Sequence, residues 1–144
     1  MPSAEITAKP TVLIVDDEED VVQPIAFRLS IQGFNVLMEP DGETGFQAAV
    51  SEGPDVILLD IMMPGIDGIT LCQMLKERED TRRIPIIMLT AKTTMGDVEQ
   101  AFAAKADDYV AKPFEWPELL GKVNRALVQS GVRPPQPDAS LSRR

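Results

Sequence analysis

The chain has 144 residues, enough for one domain built on a single core. Apolar residues make up 44% of it and mean hydropathy is near zero, as expected of a water-soluble globule. A formal net charge of −9 with no block of Lys or Arg speaks against direct contact with nucleic acid or an anionic membrane, and the lack of histidine removes His-based triads, His–metal sites and imidazole acid–base chemistry.

Residues 1–10 lack the apolar stretch of a signal peptide and are expected to be a flexible lead. Residues 12–15 (VLIV) form a continuous apolar run, the pattern of a strand buried on both faces of a parallel sheet. The acidic run 16–20 follows, and then a helical stripe of Val22, Ile25 and Leu29. Pro24 sits awkwardly in that helix because it removes a backbone donor. Asp20 as N-cap with Gln23 as its capping-box partner predicts a late start and a frayed or bent first turn. Residues 34–38 are mixed in polarity, which suits an edge strand, and 43–51 carry a weaker helical pattern through Phe46 and Ala49.

A second buried strand spans 56–59 and ends in Asp60. Gly65 and Gly68 suit a turn that requires positive φ. Leu71, Cys72 and Leu75 mark the next helix, and residues 84–89 a further buried strand ending at Thr90. Segment 95–104 is weakly helical through Val98, Ala101 and Phe102, residues 108–111 read as a short strand followed by Lys112, and Leu119, Leu120, Val123 and Leu127 stripe a helix over 115–129. Residues 131–144 hold three prolines and little to bury, so a disordered or polyproline-like tail is expected after a domain over 11–130. No apolar run reaches membrane-spanning length. The single cysteine, Cys72, allows no intrachain disulfide and suits a reducing, cytoplasmic setting.

Five strand–helix alternations predict a doubly wound α/β domain with a five-stranded parallel sheet. Right-handed crossovers and the two more polar strands at the edges favour the order 2-1-3-4-5. In such a sheet, ligands bind outside the carboxyl ends of the strands. Asp16, Asp17, Asp60, Thr90 and Lys112 all fall there and are expected to share one crevice. Crowded carboxylates raise at least one pKa, and a hard divalent cation with oxygen ligands relieves the repulsion; Mg²⁺ is the usual choice beside phosphate. With Lys112 opposite, two cations would face one carboxylate, a receptor for a transferring phosphoryl group. Thr90 could donate to one of its oxygens. Singly, each residue has a plainer reading: a solvated helix start for the acidic run, a turn or cap for Asp60, a strand end for Thr90, a surface charge for Lys112. Their convergence on one edge is what outweighs those readings.

The segments 13–17 (LIVDD), 59–68 (LDIMMPGIDG), 89–91 (LTA) and 107–114 (DDYVAKPF) resemble, in order and spacing, the signature blocks of response-regulator receiver domains of two-component systems. The resemblance covers residues 11–129. It implies the flavodoxin-like receiver fold of the chemotaxis regulators, with Asp60 as phospho-acceptor from a sensor histidine kinase or phosphotransfer protein. It implies Mg²⁺ held by Asp17, Asp60 and the Met62 backbone carbonyl, with Asp16 acting through water, and Thr90 and Lys112 contacting the phosphoryl group. Tyr109 resembles the aromatic switch, and the Lys112–Pro113 peptide is expected to be cis. The implied product is a signalling protein, catalysing only its own phosphorylation and dephosphorylation, that controls a downstream protein effector as a monomer or phosphorylation-dependent dimer. Two departures stand out. Lys105 replaces a common glycine after the fourth helix, so that helix end is expected to differ. Val98 and Gln100 stand where receivers joined to winged-helix domains often carry basic residues, so their charge-paired dimer is not implied.

Three other readings fit less well. A haloacid-dehalogenase-like phosphatase wants a second Asp two residues after the nucleophile, where this chain has Met62. A flavodoxin-like nucleotide binder wants phosphate-cradling donors after the first strand, where the acidic run would repel the ligand. A pseudo-receiver, acting only as an interaction module, would have no use for the complete acidic, Thr and Lys set.

Overall fold

The structure, a computed structural model, describes residues 9–91 and 95–136, the side chains of residues 95 and 97 excepted. Strands and helices alternate from end to end: β1 (Thr11–Val15), α1 (Glu19–Gln32), β2 (Asn35–Glu39), α2 (Gly42–Glu52), β3 (Val56–Asp60), α3 (Gly68–Lys76), β4 (Ile86–Thr90), α4 (Met95–Ala103), β5 (Asp108–Ala111) and α5 (Trp116–Gln129). The five strands form one parallel sheet in the order β2-β1-β3-β4-β5, as the pattern of apolar and mixed strands predicts.

The continuous apolar runs are explained by what covers them. Val12, Ile14, Val56, Leu58, Ile87 and Leu89 face α1 and α5. Leu13, Val15, Ile57, Leu59, Ile86 and Met88 face α2, α3 and α4. Strand alternation sends successive residues to opposite faces, so a strand covered on both sides has no polar position to spare. Each of these side chains is fully buried, and each contributes ~1.5–3 kcal/mol by leaving water. β2 and β5, at the edges, are only part-buried.

Three local expectations need correction. α1 begins at Glu19, not after Asp20, and no side chain caps it. Its first turn is set further upstream: the Asp16 carboxylate accepts from the Glu18 N–H at 2.9 Å, and the Glu18 carbonyl accepts from Val21 and Val22 at 2.9 and 3.1 Å. Pro24 therefore lies inside the helix on its exposed side, and Val22, Ile25, Ala26 and Leu29 still form the buried stripe.

Gly68, expected to serve a positive φ, serves a close approach instead. A Cβ there would collide with the Asp60 carbonyl and Ile61 Cα, whereas Gly65, at φ 76°, is the position that needs left-handed backbone. The third correction concerns the end of α4. It keeps the left-handed geometry a glycine would supply, but with Lys105 at φ 72°. Bonds from Lys105 N to Phe102 O and from Ala106 N to Ala101 O, at 2.9 and 3.0 Å, close a Schellman motif around it.

After α5, Val132 donates to the Leu127 carbonyl at 2.8 Å and packs against the α1/α5 side of the core. Pro135 lies beside Gly33 at the end of α1, where an added Cβ would meet it at 3.0 Å. Residues 131–136, which the sequence reading assigns to a disordered tail, thus follow the foot of the domain; residues 1–8 and 137–144 lie outside the described residues.

Candidate functional site

β1 and β3 are central neighbours in register, Val15 opposite Leu59, so the residues just past their ends meet at the same edge of the sheet. Asp60 closes β3 with 4% of its surface exposed, and Asp16, one residue past β1, has 3%. Asp17 turns outward and is exposed. A carboxylate oxygen from each of Asp16, Asp17 and Asp60 lies within 4.8 Å of the others. The loop after Asp60 is held close by two bonds: Ile61 N–H to the Leu89 carbonyl at 3.2 Å and Gly68 N–H to the Ile61 carbonyl at 2.9 Å.

Lys112 comes from the other side, one residue past β5. Its backbone N–H donates to the Thr90 carbonyl at 2.7 Å, and the Lys112–Pro113 peptide that follows is cis, as expected. Lys112 Nζ lies 2.9 Å from Asp16 Oδ2, 3.1 Å from Glu18 Oε1 and 3.6 Å from Asp60 Oδ1. Burial alone would depress the ammonium, but hydrogen bonds to Asp16 and Glu18 and the Asp16 and Asp60 charges carry its pKa above the ordinary value.

Asp60 moves the other way for a carboxylate. Burial, then the Asp16 charge, push its pKa up to about 6, against the opposing pull of Lys112 and of the Met62 backbone N–H. One ammonium does not neutralise three acids. The set of hard oxygen donors, with a charge excess centred on a buried carboxylate, fits a divalent cation such as Mg²⁺. Thr90, at 2% exposure, ends β4 beside Asp60's strand. Strand alternation places it on the same face as Tyr109, two residues before its partner Ala111. Tyr109 is half-buried, edge-on to Phe102 with centroids 6.0 Å apart, and has Lys122 Nζ 5.1 Å from its ring centre.

The expected residues are thus brought to one edge, with Tyr109 set back along β5. Glu18 is the residue that sequence reasoning missed: it belongs to an acidic run of five in which nothing local distinguishes the one that reaches Lys112. A cleft of about 630 Å³ beside Lys112, between Pro24, Ile25, Phe114 and Trp116, was likewise not foreseen.

Fold and site together define a flavodoxin-like α/β protein with an acidic, lysine-faced crevice where its winding reverses. The chain belongs to the response regulator receiver domain family, whose model matches residues 12–124. It is 42% identical over 127 residues to the DNA-binding dual master transcriptional regulator RpaA of Synechocystis sp., covering 88% of this chain and 52% of that protein. Among solved structures it is similar to the chemotaxis protein CheY4 of Vibrio cholerae, at 29% identity and TM-score 0.79, covering 83% of this chain and 100% of that one. It is also similar to the receiver domain of sensor histidine kinase PA1611 from Pseudomonas aeruginosa, determined with a magnesium ion in its active-site cleft. That match has 32% identity and TM-score 0.75, over 84% of this chain and 99% of the other.

The chain spans about half the length of the curated relatives it matches, and RpaA is named as DNA-binding. Such relatives give no support to the expectation that nucleic acid lies outside this protein's reach. Among the described residues, no helix is long and apolar enough to cross a membrane.

Proposed function

We propose that Asp60 accepts a phosphoryl group from a sensor histidine kinase or a phosphotransfer protein, in a reaction that requires Mg²⁺. The observation that carries this is the buried Asp60 carboxylate, clustered with Asp16 and Asp17 and faced by Lys112. An Asp60 oxygen attacks phosphorus, a P–O bond forms as the donor's P–N bond breaks, and the departing imidazole takes up a proton from solvent. With a pKa near 6, Asp60 is mostly ionised at neutral pH and able to attack. Lys112 places positive charge beside the oxygens of the transferred group, and Thr90 offers a hydroxyl to one of them. Asp17, Asp60 and the Met62 carbonyl, with Asp16 through water, would hold the metal, which supplies a second positive charge opposite Lys112. The chemistry is confined to forming and losing this acyl phosphate.

Readout by a downstream protein follows from the position of Thr90 and Tyr109 on one sheet face next to α4. An inward pull on Thr90 alters the space Tyr109 packs against, and with it the surface of α4, β5 and α5. A monomer or a phosphorylation-dependent dimer, working in the cytoplasm, completes the reading. Intact-mass measurement after incubation with acetyl phosphate and Mg²⁺ tests it: wild type gains one phosphoryl group and Asp60→Asn gains none. Equal uptake by both proteins would refute Asp60 as acceptor.

A further inference from the structure

Lys112 is shared unevenly. Two of its three ammonium protons are directed to Asp16 and Glu18, at 2.9 and 3.1 Å, while Asp60 at 3.6 Å is within ion-pair range but beyond hydrogen-bonding reach. Asp16 belongs to the carboxylate cluster; Glu18 does not. Glu18 stands at the N-cap of α1, yet its side chain makes no capping bond and is 59% exposed. Its backbone, in contrast, is tied at both ends, to the Asp16 carboxylate and to Val21 and Val22. A fixed main chain thus presents a loose carboxylate across the crevice to a lysine 94 residues away.

We propose that Glu18 is a positioning residue that holds the Lys112 ammonium at the Asp16 side of the crevice, away from Asp60, and thereby restrains phosphoryl capture. The inference rests on Asp60 being the acceptor. An incoming phosphoryl group needs the lysine nearer to Asp60 than it now lies, so the ammonium must exchange its Glu18 contact for a phosphoryl oxygen. Glu18 competes for the cation that the transition state requires. Because an exposed ion pair is weak, this restraint is modest, about two- to fivefold in rate. A weak restraint can be released by the reaction itself or by a partner that covers the mouth of the crevice.

The test compares wild type, Glu18→Gln and Asp20→Asn in labelling by acetyl phosphate with Mg²⁺, at low and high salt. Asp20 is a neighbouring acid in the first turn of α1 and, among the described residues, is not an ion-pair partner of Lys112, so its neutralisation reports the general repulsion of an anionic donor. Glu18→Gln labels about two- to fivefold faster than wild type at low salt, and part of the gain persists at high salt, which screens long-range repulsion more than a contact at 3.1 Å. A separate readout needs no donor: the side-chain Cε resonance of Lys112 shifts in Glu18→Gln and stays in place in Asp20→Asn. An unmoved resonance, an unchanged or slower rate, or equal gains in both variants that vanish with salt would each overturn the proposal. Wild type that takes up no phosphate would instead remove the acceptor reading, while the lysine resonance still tests the contact.

Discussion

Asp60 carries a charge where burial disfavours one, and its titration should be visible in the stability of the domain. Its carboxyl has a pKa of about 6 in the fold against 3.8 for an unperturbed one. A raised carboxyl pKa means that the folded state holds the proton more tightly than the unfolded chain. The associated stability is therefore fully present below pH ~4 and is lost as pH rises to about 6, an effect of ~2–3 kcal/mol. Without a divalent cation, Asp60→Asn is expected to melt well above wild type at pH 7 and to converge with it near pH 4. Parallel melting curves across that range would rule this out.

A second residue-scale cost lies at Lys105. A side chain at φ 72° is strained by ~1–2 kcal/mol, partly offset by the greater unfolded-state entropy of glycine. Lys105→Gly is expected to stabilise the domain by ~0.5–1 kcal/mol in urea denaturation, with labelling at Asp60 unchanged.

Among the elements, α4 and β5 are joined by the edge-on pair Phe102 and Tyr109, while Lys122 from α5 donates to the Tyr109 carbonyl at 2.6 Å. On the proposed reading, this half-buried corner would pass a change at Thr90 outward: Phe102 remains 46% exposed, while Ala101 in α4 and Ala104 just after it are buried against the sheet. Beryllofluoride with Mg²⁺ imitates the acyl phosphate. It is expected to shift amide resonances through residues 90–115 in wild type, and far less in Thr90→Ala. Shifts confined to the surroundings of Asp60 would reject the corner as the switch.

The chain after α5 behaves as part of the helix packing where Val132 meets the core. Val132→Ala is expected to cost ~0.5–1 kcal/mol, seen as a lower melting temperature, because a half-buried branched side chain loses part of its apolar contact. No loss on this substitution would place the end of the folded domain before Val132.

For the whole molecule, the proposed function would couple stability and signalling chemistry through the same sheet edge. A cation that binds the folded acidic cluster and not the unfolded chain stabilises by mass action, by ~2.7 kcal/mol at a hundredfold excess over its Kd. Mg²⁺ is expected to raise the melting temperature of wild type, and Asp17→Ala to abolish most of that rise along with phosphoryl labelling.

The sequence by itself determined the layered fold and the edge at which the chemistry sits. Runs such as 56–59 leave no polar position for a solvated face, and strands that all run parallel carry their end residues to one side. The same logic brought Asp16, Asp17, Asp60, Thr90 and Lys112 together before any distance was known. It could not single out Glu18 from the acids of 16–20 that follow Asp16 and Asp17, because that depends on where a lysine 94 residues further along arrives. Nor could it place the start of α1, where the Asp16 carboxylate overrides local capping preference. Gly68 and Lys105 make the same point from opposite directions. One glycine is required by a backbone that passes behind it, and one lysine is held left-handed by the bonds that close the end of α4. The Glu18–Lys112 contact joins segments 94 residues apart and only tertiary structure decided it; the start of α1, the Gly68 approach and the Lys105 turn are contacts within short stretches whose geometry residue propensity alone does not set.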